Sequence, residues 1–198
     1  GYEECFRVYS DVSKFTDEIK EEVLGPALRT LFPKYFPGYD YDTLYKTYHD
    51  RQMEVADKLN KPIPGSIETL KRLHEEGYHV GIVSTRTNEG INELLIKFGM
   101  REYVDSICGL NDVKNLKPDP EGIINMVNNN KWNRDVVMCG DSIMDIRCGN
   151  NYGALTVAYL DNPNRSKQMN DEANYSVTDL TQIFDILNSD ISFTYNKI

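Results

Sequence analysis

A chain of 198 residues, 40% of them hydrophobic, suits one domain or one domain with a sizeable insertion, and it can bury a full core. Its net charge of −9 argues against a nucleic-acid partner, because phosphate backbones are held by basic patches; no run of about eighteen apolar residues offers a membrane-spanning helix. Cys5, Cys108, Cys139 and Cys148 show no C-x-x-C spacing, and with no signal-peptide pattern they read as buried free thiols of a cytoplasmic protein rather than disulfides or zinc ligands.

Residues 1–60 read as helical, with no convincing strand. Tyr2, Cys5, Phe6 and Tyr9 fall on one helix face. A second helix is predicted from Thr16 to Leu24, and another over residues 25–32 that Pro33 should stop. Residues 41–59 form a long amphipathic stretch with Leu44, Tyr45, Tyr48 and Met53 as its expected inner face. The prolines and glycine of residues 60–66 end this region.

Beyond it, strands and helices alternate. Helix 67–77 should turn Ile67, Leu70 and Leu73 inward and stop at Gly77. Strand 79–83, helix 88–99 and a weak strand 104–109 follow. Helix 119–130 should start with Asp119 as N-cap and Pro120 at its first position. Strand 135–140, helix 142–150, a last strand 154–160 and a last helix 179–188 complete the pattern. Such alternation gives an α/β fold, a parallel sheet covered on both faces. Ligands bind such sheets at the carboxyl ends of the strands.

At those ends stand Ser84, Thr85 and Arg86 after one strand, and Asp141 after another, with Asp145 one helical turn on. Lys117 lies between them on the proline-punctuated loop "NLKPDP". A hydroxyl, an ammonium and two carboxylates suit a phosphate and a metal. Mg²⁺ takes one or two protein carboxylates and keeps several waters, and phosphoryl transfer needs mostly positioning and charge stabilisation. Taken singly, each residue has a plainer reading: Ser84 and Thr85 as a helix cap, Lys117 as solvated surface, Asp141 as an N-cap.

Three stretches in order, "VGIVST", "LKPDP" and "CGDSIMDI", resemble the second, third and fourth motifs of the haloacid dehalogenase superfamily, and most closely its phosphoglycolate phosphatase-like branch. The resemblance covers essentially the whole chain. It implies a Rossmann-like parallel core at residues 63–198 and a small helical cap at residues 1–62. It further implies that Ser84 and Thr85 bind phosphate, that Lys117 steadies phosphate and nucleophile, and that Asp141 and Asp145 serve Mg²⁺. The activity implied is hydrolysis of a small phosphorylated metabolite through an aspartyl-phosphate.

The family's first motif, D-x-D-x-T/V at the end of the central strand, has no counterpart. The nearest candidate is Asp11, with Ser13 instead of Asp two residues on and helical periodicity before it. The expectation is that the nucleophile and its central strand lie upstream of residue 1. Strands 79–83 and 135–139 would then flank a gap, and the chain alone would be inactive. A non-catalytic phosphate- or Mg²⁺-binding relative and a phosphomutase are the alternatives.

Overall fold

The computed structural model describes residues 1–23, 26, 28–160 and 166–189. They fall into two compact units, Gly1–Lys61 and Pro62–Ile198.

The first unit is helical: α1 (Tyr2–Tyr9), a short 3-10 turn (Val12–Lys14), α2 (Asp17–Glu22), α3 (Leu28–Tyr35) and α4 (Tyr41–Leu59). Tyr2, Cys5 and Phe6 point from α1 into a core with Leu31, Phe32, Phe36 and Leu44, as the helical spacing predicts. Aromatic rings dominate it, with Phe6 and Phe36 centroids 4.9 Å apart in an edge-on contact. Thr16 caps α2 by accepting the Ile19 N–H at 3.4 Å.

Three expectations fail in this unit. Pro33 lies inside α3 instead of stopping it: burial of Phe32 and Phe36 on the same side outweighs the lost helical hydrogen bond. Tyr45 is 39% exposed because Leu44 and Tyr48 already fill the inner stripe of α4. The α2 helix ends at Glu22, and Leu24 lies outside the described residues, as does the side chain of Met53. Asp11, the stand-in for the missing motif, is exposed and accepts the Ser13 N–H at 2.9 Å in the turn after α1; the residues before it are helix, not strand.

The second unit runs α5 (Ser66–Glu75), β1 (Gly81–Val83), α6 (Asn88–Lys97), β2 (Ser106–Cys108), α7 (Glu121–Asn130), β3 (Val137–Gly140), α8 (Ile143–Tyr152), β4 (Leu155–Tyr159), α9 (Ser166–Glu172), β5 (Tyr175–Val177) and α10 (Ile183–Ser189). All strand pairs are parallel. They form two separate ladders, β1–β2 and β3–β4–β5, and β1 does not pair with β3.

Helices nevertheless cover the two ladders jointly. On one face, Ile123, Val127 and Cys148 of α7 and α8 pack against both Val83 of β1 and Met138 of β3. On the other, Leu73 of α5 packs with Ile91 and Leu95 of α6 beneath Ile82, and also with α10 beneath Val137 and Cys139. Neighbouring residues of one strand point to opposite faces, so α6 and α8 lie on opposite sides. Burial differs between the strands: Thr156, Val157 and Ala158 of β4 are wholly buried, whereas all four residues of β3 are half-buried and Gly81 is exposed.

The residue-level expectations need correction in four places. The last strand is β5, not β4: three residues with Tyr175 and Ser176 exposed give too short a pattern to read. Helix α9 escapes notice because it sends little but Met169 into the core. Ile67 is 39% exposed, and Thr69 occupies the buried position of α5. Helix α7 starts at Glu121 with Pro120 in the cap position, while the Asp119 carboxylate accepts the Glu121 N–H at 2.9 Å.

Candidate active site

The site is built where β1 and β3 end. Ser84 continues β1, giving its N–H to the Cys108 carbonyl at 3.0 Å while its hydroxyl accepts the Arg86 N–H at 3.2 Å. The cap of α6 is Thr87, which accepts the Gly90 N–H at 3.3 Å. Ser84 and Thr85 are therefore not spent on capping a helix. Together with Lys117, Asn115 and Asp119 they line one small cavity at the strand end.

Lys117 is delivered by the loop before α7. Glu121, in the first turn of that helix, accepts the backbone N–H groups of Lys114 at 3.0 Å and Asn115 at 2.9 Å. Those bonds hold its carboxyl below the usual range. Asn151 of α8 donates to the Pro118 carbonyl at 2.9 Å. So pinned, Lys117 donates its Nζ to the Val83 carbonyl at 3.2 Å and to Asp145 Oδ1. The side chains of this ion pair are only 14% and 7% exposed.

Asp145 sits in the first turn of α8. The stretch Ser142-Ile-Met-Asp145 is a capping box: Ser142 Oγ accepts the Asp145 N–H at 3.3 Å, and Asp145 Oδ2 accepts the Ser142 N–H at 3.1 Å. Ser142 Oγ also lies 2.7 Å from Oδ2. Gly140 makes room for this turn, since a Cβ there would lie 2.2 Å from Asp145 Cβ. Asp141 follows directly and is exposed at the end of β3. Beneath it, burial and then the Asp145 and Asp141 carboxylates push the Cys139 thiol up to about 11, so it adds no charge at neutral pH.

The structure thus joins Ser84, Thr85 and Lys117 around one cavity, and Lys117 to Asp145. Among the described residues no group of three or more His, Cys, Asp or Glu side chains forms a metal cage. The donor set at β3 fits a water-rich Mg²⁺ site instead, which needs one or two carboxylates. Asp141 is exposed. Asp145 already uses three of its roughly four lone-pair directions on Lys117 and Ser142, so it positions Lys117 and has about one direction left for an ion. Sequence reading passed over Ser142 and Glu121. The S-x-x-D spacing was the available signal for Ser142, whereas the bonds of Glu121 to the loop six and seven residues before it follow no such spacing.

A family model for haloacid dehalogenase-like hydrolases matches residues 2–159. A pyrophosphatase PpaX from Halalkalibacterium halodurans is 35% identical over 136 residues, covering 68% of this chain and 63% of that protein. The chain thus spans less than two thirds of that relative. A second PpaX, from Listeria monocytogenes, is 31% identical over 158 residues, 78% of this chain and 71% of its own length. Among solved structures, a Bacteroides fragilis protein assigned as a haloacid dehalogenase-like hydrolase superposes with a TM-score of 0.75 at 24% identity, covering 90% of this chain and 89% of its own. A Lactobacillus plantarum protein assigned as a phosphoglycolate phosphatase superposes with a TM-score of 0.77 at 13% identity, covering 93% and 90%. At these identities the structural likeness speaks for the fold alone.

Proposed function

Because this chain belongs to the haloacid dehalogenase-like hydrolase family, we propose that its second unit carries the phosphate- and metal-binding half of a Mg²⁺-dependent phosphatase site. The substrate class is a small phosphomonoester or pyrophosphate, the latter suggested by the name of its PpaX relatives. The observation that carries the reading is the buried Lys117–Asp145 pair beside a cavity lined by Ser84 and Thr85.

In this reading Ser84 and Thr85 donate hydrogen bonds to phosphoryl oxygens. Lys117 offsets negative charge at the strand ends, where partial burial strengthens its field. Asp145 and Ser142 fix the position of that ammonium. Asp141 would hold Mg²⁺, with Asp145 as its neighbour; the ion supplies further charge neutralisation at the phosphoryl oxygens. The attacking carboxylate is none of these residues. In the reaction the family resemblance implies, a carboxylate oxygen bonds to phosphorus, the bond to the leaving oxygen breaks, and that oxygen takes a proton. Water then cleaves the acyl phosphate, releasing orthophosphate and restoring the carboxylate. We assign the helical unit the role of the cap that selects the substrate. Binding without turnover is the second reading, favoured by the place of Asp11 on a turn after a helix.

The test is titration of the chain with inorganic phosphate and Mg²⁺, followed by ³¹P NMR line broadening. Broadening that requires Mg²⁺ and weakens at least tenfold in Ser84→Ala and in Asp141→Asn is expected. Equal broadening in the wild type and both variants would overturn the assignment.

A further inference from the structure

We propose that Arg86 selects substrates whose leaving group is itself an anion, inorganic pyrophosphate being the smallest of the class, by holding that second charge at the rim of the cavity. The inference rests on the phosphatase reading given above and deepens it. Ser84, Thr85 and Lys117 take the phosphoryl group that is transferred, and Arg86 takes the group it is transferred from.

The backbone of Arg86 is built into the cavity wall. Its N–H donates to Ser84 Oγ at 3.2 Å, and its carbonyl accepts the Leu110 N–H at 2.8 Å. That carbonyl lies so close to Gly109 that a Cβ there would come within 2.7 Å of it. Ser84 and Gly109 both line the cavity, so Arg86 is anchored to two of its lining residues. The flanking segments are fixed as well. Thr87 caps α6, and Asp112 accepts the Asn88 side-chain amide and the Gly109 N–H, each at 2.8 Å. The side chain is not so bound. Arg86 is exposed, and among the described residues its guanidinium has no hydrogen bond, ion pair or ring contact.

Charge decides what a free guanidinium can do there. Lys117, the cation of the cavity lining, is already matched by Asp145. Asp119 adds a further carboxylate to the wall. One ammonium against two carboxylates leaves no surplus positive charge for a second anionic group. Arg86 supplies it. A guanidinium is always protonated in proteins, and its planar fork meets two oxygens of a phosphate or carboxylate at once. The backbone of the same residue serves the first anion. Because Ser84 Oγ accepts the Arg86 N–H, the hydroxyl proton of Ser84 stays available to a phosphoryl oxygen. A neutral leaving group gains nothing from the Arg86 charge, whereas a second phosphoryl group gains a charge-assisted hydrogen bond.

The test compares two anions on the 198-residue chain in excess Mg²⁺, with binding read by ³¹P NMR. One is inorganic pyrophosphate; the other is methyl phosphate, whose leaving group is neutral. In Arg86→Gln the affinity for pyrophosphate should fall about tenfold or more, the loss usual for a hydrogen bond to a charged group. The ratio of the two affinities, pyrophosphate over methyl phosphate, should fall at least fivefold. Arg86→Lys keeps the charge without the fork and should restore part of that ratio. A ratio unchanged in Arg86→Gln overturns the proposal, whether both affinities fall together or neither moves. So does an Arg86→Lys ratio as low as that of Arg86→Gln, because the positive charge is the stated cause. A wild-type chain that does not bind pyrophosphate overturns it outright. Ser84→Ala and Asp141→Asn tell this failure from that of the phosphatase reading. If both weaken methyl phosphate while Arg86→Gln leaves the ratio alone, the phosphatase reading stands and the role of Arg86 falls. If neither weakens methyl phosphate while Arg86→Gln lowers the ratio, the phosphatase reading falls and Arg86 remains the residue that selects the second anion.

Discussion

Gly140 and Asp145 are in such close contact that a methyl group on Gly140 would lie 2.2 Å from Asp145 Cβ and 2.5 Å from its Cγ. The glycine between the apolar run of β3 and Asp141 is therefore a matter of space. It lets the first turn of α8 fold back against the strand, and that turn carries the carboxylate which holds Lys117.

Gly140→Ala is accordingly expected to disturb the site as well as the fold. The neighbour it meets cannot swing aside, because Ser142 and Lys117 hold Asp145 by three bonds. Overpacking of this kind costs about 1–3 kcal/mol, which for a chain of this size is a fall of several degrees in Tm. A Tm within one degree of the wild type would show that the strand end yields more easily than its contacts imply.

The Lys117–Asp145 pair should behave as a buried ion pair. Lys117→Met leaves a carboxylate at 7% exposure without its cation, a loss of about 3–5 kcal/mol for such sites. Replacing both partners with apolar residues, Lys117→Met with Asp145→Leu, should recover part of that loss, because no charge remains to be desolvated. Urea denaturation of the two single variants and the double variant measures the coupling. Strict additivity would mean that the two side chains do not sense each other.

The fold was legible where apolar periodicity is long. The stripes of α1 and α6 and the apolar run of β3 announce their partners, and the alternation of strand and helix dictates a parallel sheet. Short, half-exposed elements were not: β5 offers one buried residue, Val177, and α9 one well-buried side chain, Met169. Pro33 misled because a local breaker lost to a tertiary aromatic core. At the site, Ser84, Lys117, Asp141 and Asp145 could be picked out by type and spacing. The bond from Lys117 to the Val83 carbonyl was not legible, since it spans 34 residues and depends on how the chain crosses back to the end of β1.

The thiols set an alkaline limit on stability. Burial pushes Cys139 and Cys148 up to about 11 from an ordinary 9. A raised folded-state pKa means the folded chain keeps protons that the unfolded chain gives up. The stabilisation is whole below pH 9 and is lost as pH rises from 9 through 11. Tm should fall over that window, and Cys148→Ala should flatten the fall while lowering Tm at neutral pH by emptying a wholly buried position. A pH slope identical to the wild type would show that Cys148 does not titrate in this range.

The last expectation separates the two acids of β3 and α8, and it applies to the catalytically complete protein of the proposed phosphatase reading. Asp141 stands directly after the strand and is exposed, and it is the residue assigned to Mg²⁺. Asp141→Ala should reduce phosphatase activity by several orders of magnitude and abolish its dependence on Mg²⁺ concentration. Asp145 faces inward and is bonded to Lys117 and Ser142, so it acts mainly through them. Asp145→Asn keeps one acceptor oxygen, which serves Ser142 or Nζ but not both, and removes the charge that holds the ammonium. It should therefore cost less activity than Asp141→Ala and leave the Mg²⁺ dependence in place, while weakening phosphate binding through a mobile Lys117. Activity titrated against Mg²⁺ and against substrate in both variants decides the matter. Unchanged Mg²⁺ dependence in Asp141→Ala, or a lost one in Asp145→Asn alone, would exchange the roles given to the two carboxylates.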